Sequence, residues 1–296
     1  MSKSRFQTIT HVATDLAVRS VLGLAKLLPY RWRVPLVGWF VARVFGPLAG
    51  WPRRVRNNLA HVMPDLPEAE VNRLTRAVPD NVGRTLMEIY SGHEFIRHAA
   101  SNPVRGPGLA ALQQARADGR AVILVTAHMG NYDAVRAHLV AAGYPMGALY
   151  RRMTNPYFNK HYVRAISTIG TPMFKQGRRG MMQLVKHLRG GGTLGILTDL
   201  AAMDGALIPF LGRPAWTSLV TAEMALKYDA VLIPAFALRD ASGLGFDIQL
   251  QEPIPHTDPM AMTIAINERV EALVRAHPEQ WFWVHRRWKG PHRSSA

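Results

Sequence analysis

From Ala121 onward, short apolar runs alternate along the chain with amphipathic stretches. Ala121–Val125, Met146–Tyr150, Thr171–Phe174, Thr193–Thr198 and Ala230–Leu238 have the length and composition of buried strands. Phe246–Gln251 alternates with period two, as a strand with one wet face does. Helical spacing fills Asp133–Ala142, Asn155–Ile169, Gly180–Leu188, Ser218–Lys227 and Met260–Ala276. Strands separated by helices predict an α/β fold, a largely parallel central sheet flanked by helices.

The part before Ala121 reads differently. Val55–Met63 is helix-like and closed by Pro64. Pro67 then opens a second helix, with Glu68 and Glu70 in its first turn, and Pro79 is expected to end it. Asn81 to Ala99 reads as a third helix. No internal repeat or low-complexity linker interrupts the chain. The expected organisation is one structural domain, with a helical region at 1–100 and an α/β core at 101–296.

Charge adds to this picture. The 296 residues carry a formal net charge of +16. Residues 1–60 hold ten Lys and Arg, Lys3 and Arg5 among them, against the single acid Asp15. Between those cations lie apolar blocks at Val21–Leu28 and Val34–Phe45. Pro35, Arg43 and Pro47 interrupt the second block as a membrane span. The pattern suits interfacial helices lying in a membrane surface, anchored by Trp32, Trp39, Phe40 and Trp51. An anionic membrane lipid is therefore an expected partner. Nucleic acid is the rival explanation of the charge. No zinc spacing, helix-turn-helix or RNP-like pattern appears, and no nucleic-acid partner is expected. The chain has no cysteine, so thiolate metal sites and disulfides are excluded, and no metal is expected.

The strand at Ala121–Val125 leads to His128, and Gly130 and Asn131 break the pattern before the next helix. His128 is thus expected in a turn at the carboxyl end of a strand, where ligands bind in open α/β sheets. Asp133 follows five positions later. A turn between the two lets the carboxylate return to the imidazole and fix its tautomer, leaving the other ring nitrogen as a base. Other polar residues fall at or beyond strand ends: Arg151, Arg152, Asp199 and Arg213, with Arg164 on the helix after the second strand. A histidine, acidic partners and arginines suit acyl or phosphoryl transfer involving an anionic substrate. Nucleophile-elbow, P-loop and zincin motifs are all absent.

The order H-x4-D at His128 and Asp133, Tyr150-Arg151 with Asn155-Pro156, Thr198-Asp199, Ile208–Gly212 and the ending His277-Pro-Glu-Gln-Trp-Phe-Trp-Val-His-Arg-Arg-Trp-Lys289 resembles the lysophospholipid acyltransferase superfamily. Within it, the chain is most similar to the bacterial lipid A late acyltransferase branch, and the ending is the most specific part. The resemblance implies a membrane-associated O-acyltransferase. It would move an acyl group from a thioester on acyl carrier protein or coenzyme A to a lipid hydroxyl, with no further cofactor. A lipid A precursor is the first acceptor it implies; a lyso-aminolipid or lysophospholipid is the alternative. His128 would remove the hydroxyl proton and Asp133 would hold the imidazole. Arg164 would bind a phosphate or stabilise developing charge. Asp199 would orient an arginine or contact substrate, and Arg151 and Arg213 would meet an anionic head group. Trp281–Val284 reads as a core strand. The implied location is the cytoplasmic face of a bacterial inner membrane, peripheral or monotopic. A non-catalytic protein that binds anionic surfaces by charge alone is the alternative of another class.

Overall fold

The structure, a computed structural model, describes residues 3–288. Lys289, the last residue of the carboxyl-terminal motif, lies outside the described residues, as do the side chains of Lys3 and Arg5. The amino-terminal part is helical. It comprises α1 (Lys3–Ala25), α2 (Tyr30–Phe40) running through a π turn (Val41–Phe45) into α3 (Gly46–Leu48), α4 (Trp51–Val62), α5 (Glu68–Tyr90) and α6 (His93–Ala100). The alternating part follows as β1 (Val104–Arg105), α7 (Gly108–Ala117), β2 (Val122–Thr126), α8 (Tyr132–Ala141), β3 (Met146–Tyr150), α9 (Pro156–Ile169), β4 (Met173–Lys175), α10 (Arg178–Arg189) and β5 (Thr193–Leu197). After a hairpin, β6 (Ala206–Phe210) and β7 (Arg213–Thr217), come α11 (Val220–Lys227), β8 (Val231–Arg239), β9 (Phe246–Leu250) and α12 (Pro259–Ala276).

Seven strands form one sheet in the order β1-β9-β8-β2-β5-β3-β4. All neighbours in it are parallel except β8 and β9. The fold is the α/β class that the alternation predicts. All five side chains of β2 are buried, because the strand is central and covered on both faces. On one face Leu124 and Ile233 pack with Val34 and Val37 of α2, Met87 and Ile89 of α5 and Ala134 of α8. On the other, Ile123, Val125 and Leu232 pack with Leu184 of α10, Met224 of α11 and Ile266 of α12. The helices before residue 101 thus share a core with the sheet.

Three local expectations are corrected. Pro79 does not end a helix: α5 runs from Glu68 to Tyr90 with Pro79 inside it. Buried residues continue on both sides of the proline (Leu74, Val78, Asn81 and Thr85), and this tertiary burial outweighs the lost N–H. The break falls instead at Ser91–Gly92, where Gly92 takes φ +56°. The hairpin β6–β7 lies in a stretch without a predicted strand; it turns on Leu211 and Gly212, both at positive φ. Trp281–Val284 is no strand but a turning segment, joined to the loop after β2 by one bridge between Met129 and Trp281.

Candidate active site

The site follows from the pairing of β2 with β5. Thr126 and Leu197 are register partners at the ends of these two strands. His128 lies two residues beyond one end and Asp199 two beyond the other, so the sheet sets them face to face. His128 Nδ1 lies 2.8 Å from Asp199 Oδ1. The other carboxylate oxygen accepts the His128 backbone N–H at 2.9 Å and the Trp281 indole N–H at 2.9 Å. Asp199 is fully enclosed. Burial alone pushes its carboxyl up, but the charge of His128 and the hydrogen bonds from His128 and Trp281 outweigh this and hold it below the usual carboxylate range. An ionised carboxylate only accepts, so Nδ1 carries the proton, and in the neutral ring Nε2 holds the lone pair. The imidazole remains reachable at 23% exposure. It rests against the rings of Tyr132, at 5.3 Å, and Phe282, at 5.8 Å.

The expectation that Asp133 holds the imidazole is corrected by this geometry. Asp133 sits in the first turn of α8, buried, and its Oδ1 accepts Arg136 Nε at 2.8 Å. Arg136 also donates to the carbonyls of Ile166 and Gly170, both at 3.0 Å. Asp133 therefore braces α8 against the end of α9. A five-residue spacing that turns into a helix carries the carboxylate away from the ring into that brace.

The arginines are not gathered at the imidazole. Arg151 is exposed just beyond β3, at the carboxyl edge of the sheet. Arg164 is exposed on α9. Arg213 opens β7 and donates to the His61 carbonyl at 3.0 Å, which ties the hairpin to α4. Two residues of the site have another role than the sequence suggested, and one, Arg136, had been given none. Trp281 and Phe282, read as core strand, are the indole donor to Asp199 and a wall of the imidazole. Arg136 is the partner of Asp133. The motif around Trp281 was visible, but nothing in it pointed to a contact 82 residues back. A large cavity of about 1010 Å³, lined by Asn81, Arg239 and Gln280 among others, includes none of His128, Asp199, Trp281 or Phe282 in its wall. Among the described residues no three His, Asp or Glu side chains converge as a metal ion would require.

A family model described as bacterial lipid A biosynthesis acyltransferase matches residues 2–290. A lipid A biosynthesis acyltransferase of Haemophilus influenzae is 25% identical over 268 residues, covering 89% of this chain and 83% of its own. A phosphatidylinositol mannoside acyltransferase of Mycobacterium tuberculosis is 23% identical over 296 residues, covering 97% and 92%. The lipid A biosynthesis lauroyltransferase of Escherichia coli is 23% identical over 241 residues, covering 79% and 78%.

Proposed function

Since the chain belongs to the bacterial lipid A biosynthesis acyltransferase family and is an acyltransferase acting on a lipid acceptor, we propose that it transfers a fatty acyl group from an acyl thioester to a hydroxyl of a glycolipid, with His128 as general base. The observation that carries this reading is the His128–Asp199 pair at 2.8 Å, with its indole donor, at the carboxyl edge of the sheet.

The acceptor hydroxyl gives its proton to His128 Nε2 as its oxygen attacks the thioester carbonyl. The C–O bond forms, the C–S bond breaks, and the thiolate leaves and takes up the proton. Asp199 holds the ring in the Nδ1–H tautomer and stabilises the imidazolium that forms. The thioester brings the activated carbonyl, so no protein nucleophile and no further cofactor enter the step. Acyl carrier protein or coenzyme A supplies the thioester. A lipid A precursor is the first acceptor; the likeness, at the same identity, to a mannoside acyltransferase supports a sugar hydroxyl as the acceptor group. A lysophospholipid or lyso-aminolipid is the alternative acceptor. Arg151, Arg164 and Arg213, all exposed, are available to the anionic head group of the acceptor.

The same reading seats the protein on the cytoplasmic face of a bacterial inner membrane. Leu24, Leu27, Trp32, Trp39 and Leu48 of the amino-terminal helices are exposed, with Arg31, Arg43, Arg53 and Arg54 exposed among them. Apolar anchors flanked by cations suit interfacial binding to anionic lipid. Among the described residues no single helix is long and apolar enough to cross a membrane; the segments Tyr30–Leu48 and Trp51–Val62, bent by 86°, pass that test only as a pair.

The test is mass-spectrometric lipid profiling of the source cell without this gene, complemented by wild type or by His128→Ala. Loss of one acylated lipid with accumulation of its hydroxyl-bearing precursor, restored by wild type alone, is the expected result. Full restoration by a folded His128→Ala protein would overturn the mechanism.

A further inference from the structure

The loop that carries His128 is held from behind by buried polar groups that the transfer step never touches. Glu88 of α5 is fully buried. Arg239, at the end of β8, grips it with two nitrogens at 2.6 and 2.7 Å. The second Glu88 oxygen also accepts Asn131 Nδ2 at 2.8 Å, and Asn131 Oδ1 caps α8 at the Asp133 N–H. One residue back, the Gly130 carbonyl accepts Asn81 Nδ2 at 3.1 Å and Thr85 Oγ1 at 2.9 Å, both from α5. Arg239 Nε closes the circuit on Asn81 Oδ1 at 3.1 Å. Gln280 joins it four times: its carbonyl accepts the Gly130 N–H at 3.0 Å and Asn81 Nδ2 at 3.2 Å, its side-chain oxygen accepts the Arg239 N–H at 2.7 Å, and its Nε2 donates to the Arg239 carbonyl at 2.9 Å. Gly130 itself has φ +54°, and a Cβ there would lie 2.0 Å from the Ala237 carbonyl, so the loop is pressed onto the end of β8.

We infer that Glu88 and Arg239, acting through Asn131 and Gly130, are positioning residues that fix where His128 Nε2 points. The inference rests on the acyl-transfer reading for what Nε2 does there. A buried ion pair is no better for stability than well-packed apolar groups of the same volume. What this one supplies is direction. Groups from α5, from β8 and from the segment before Trp281 converge on two adjacent residues of one turn, and each contact is directional and enclosed. His128 is two residues from Gly130, and its own carbonyl accepts the Phe282 N–H at 3.0 Å. A loop free to shift by a fraction of an ångström would carry Nε2 off the line to the acceptor oxygen, while both substrates would still find their own surfaces.

Two variants test this. Glu88→Met/Arg239→Met removes the pair as a unit without leaving a lone charge. Asn131→Ser keeps an oxygen for the α8 cap but is too short to reach Glu88. Thermal melting, kcat and KM for an acyl thioester and a lipid acceptor, and the proton resonance of His128 Nδ1 are measured in wild type and in both. The expected result is a folded protein with KM changed less than twofold, kcat lowered tenfold or more, and a shifted or broadened Nδ1 proton signal. A variant with wild-type kcat and an unchanged Nδ1 signal would overturn the inference. If the double variant fails to fold, Asn131→Ser decides alone. A folded wild type inactive on every thioester and acceptor would count against the acyl-transfer reading, and the Nδ1 signal would still decide the positioning role.

Discussion

Asparagine at position 199 and asparagine at position 133 separate two roles that carboxylates play near the imidazole. Asp199→Asn keeps the shape but loses the charge that selects the Nδ1–H tautomer, so kcat is expected to fall by about 10²–10⁴ in a folded protein. Asp133→Asn leaves Arg136, 3% exposed, without its counter-charge. Breaking such a buried pair costs about 3–5 kcal/mol, so the expected loss is in melting temperature, with kcat of the folded fraction much less affected. Melting curves and steady-state kinetics on both variants distinguish the two. Acid adds a further check. Asp199 is held below its ordinary value of 3.8, so its stabilising contribution is complete above that value and is lost as pH falls through the lower folded one. The gap in melting temperature between wild type and Asp199→Asn is expected to be open at neutral pH and to close in acid. At this scale the sequence singled out His128 and both acids. It did not show which acid meets the ring, because His128 and Asp199 are 71 residues apart and meet only through the β2–β5 pairing. That adjacency is a property of sheet order, which no local spacing records.

Elements that bury an uninterrupted apolar stripe were legible, and β2, β3 and β5 fall within a residue or so of where their runs predict. Proline misled once. In α5 it read as a stop, although the buried face continues past it. In β6 and β7, where no strand was expected, Pro209 and Pro214 face each other across an isolated hairpin where a missing donor costs little. The segment from Gln280 to Trp288 is irregular and was the least legible. Its position is set by side chains: Asn58 Nδ2 donates to the Trp283 and His285 carbonyls at 2.6 and 2.8 Å, and Arg287, fully buried, donates to Thr217 Oγ1 at 2.6 Å. Burial pushes the Arg287 guanidinium down to about 10, against the opposing pull of Asp199. Trp281→Phe keeps the packing against Phe210 but removes the indole donor to Asp199. A hydrogen bond to a charged group contributes about 1.5–3 kcal/mol, so kcat is expected to fall by roughly tenfold or more. Kinetics on the purified variant, with a melting curve to show that it is folded, would check this.

Across the whole molecule the cations are unevenly placed. Between Asp133 and Asp199 the sequence has ten Lys and Arg and no acid, and the amino-terminal helices add their own excess beside exposed tryptophans. Binding to vesicles containing anionic lipid is expected to exceed binding to zwitterionic ones and to weaken as salt rises. Trp32→Ala/Trp39→Ala is expected to weaken it at every salt concentration, because it removes apolar anchors and no charge. Vesicle co-sedimentation at two ionic strengths measures both effects, and salt-independent binding would count against the charged component. Composition made this surface legible; that α2 and α5 also complete the core under the sheet was not, since amphipathic helices look alike whether their second face meets lipid or protein. The late position of Trp281 and Phe282 has a consequence in time. A chain emerging from the ribosome presents His128 first, then Asp199, and only 82 residues afterwards the indole that holds that carboxylate. Until that stretch has been translated and docked, Asp199 lacks the indole N–H that holds its second oxygen, and the imidazole lacks the Phe282 ring beside it.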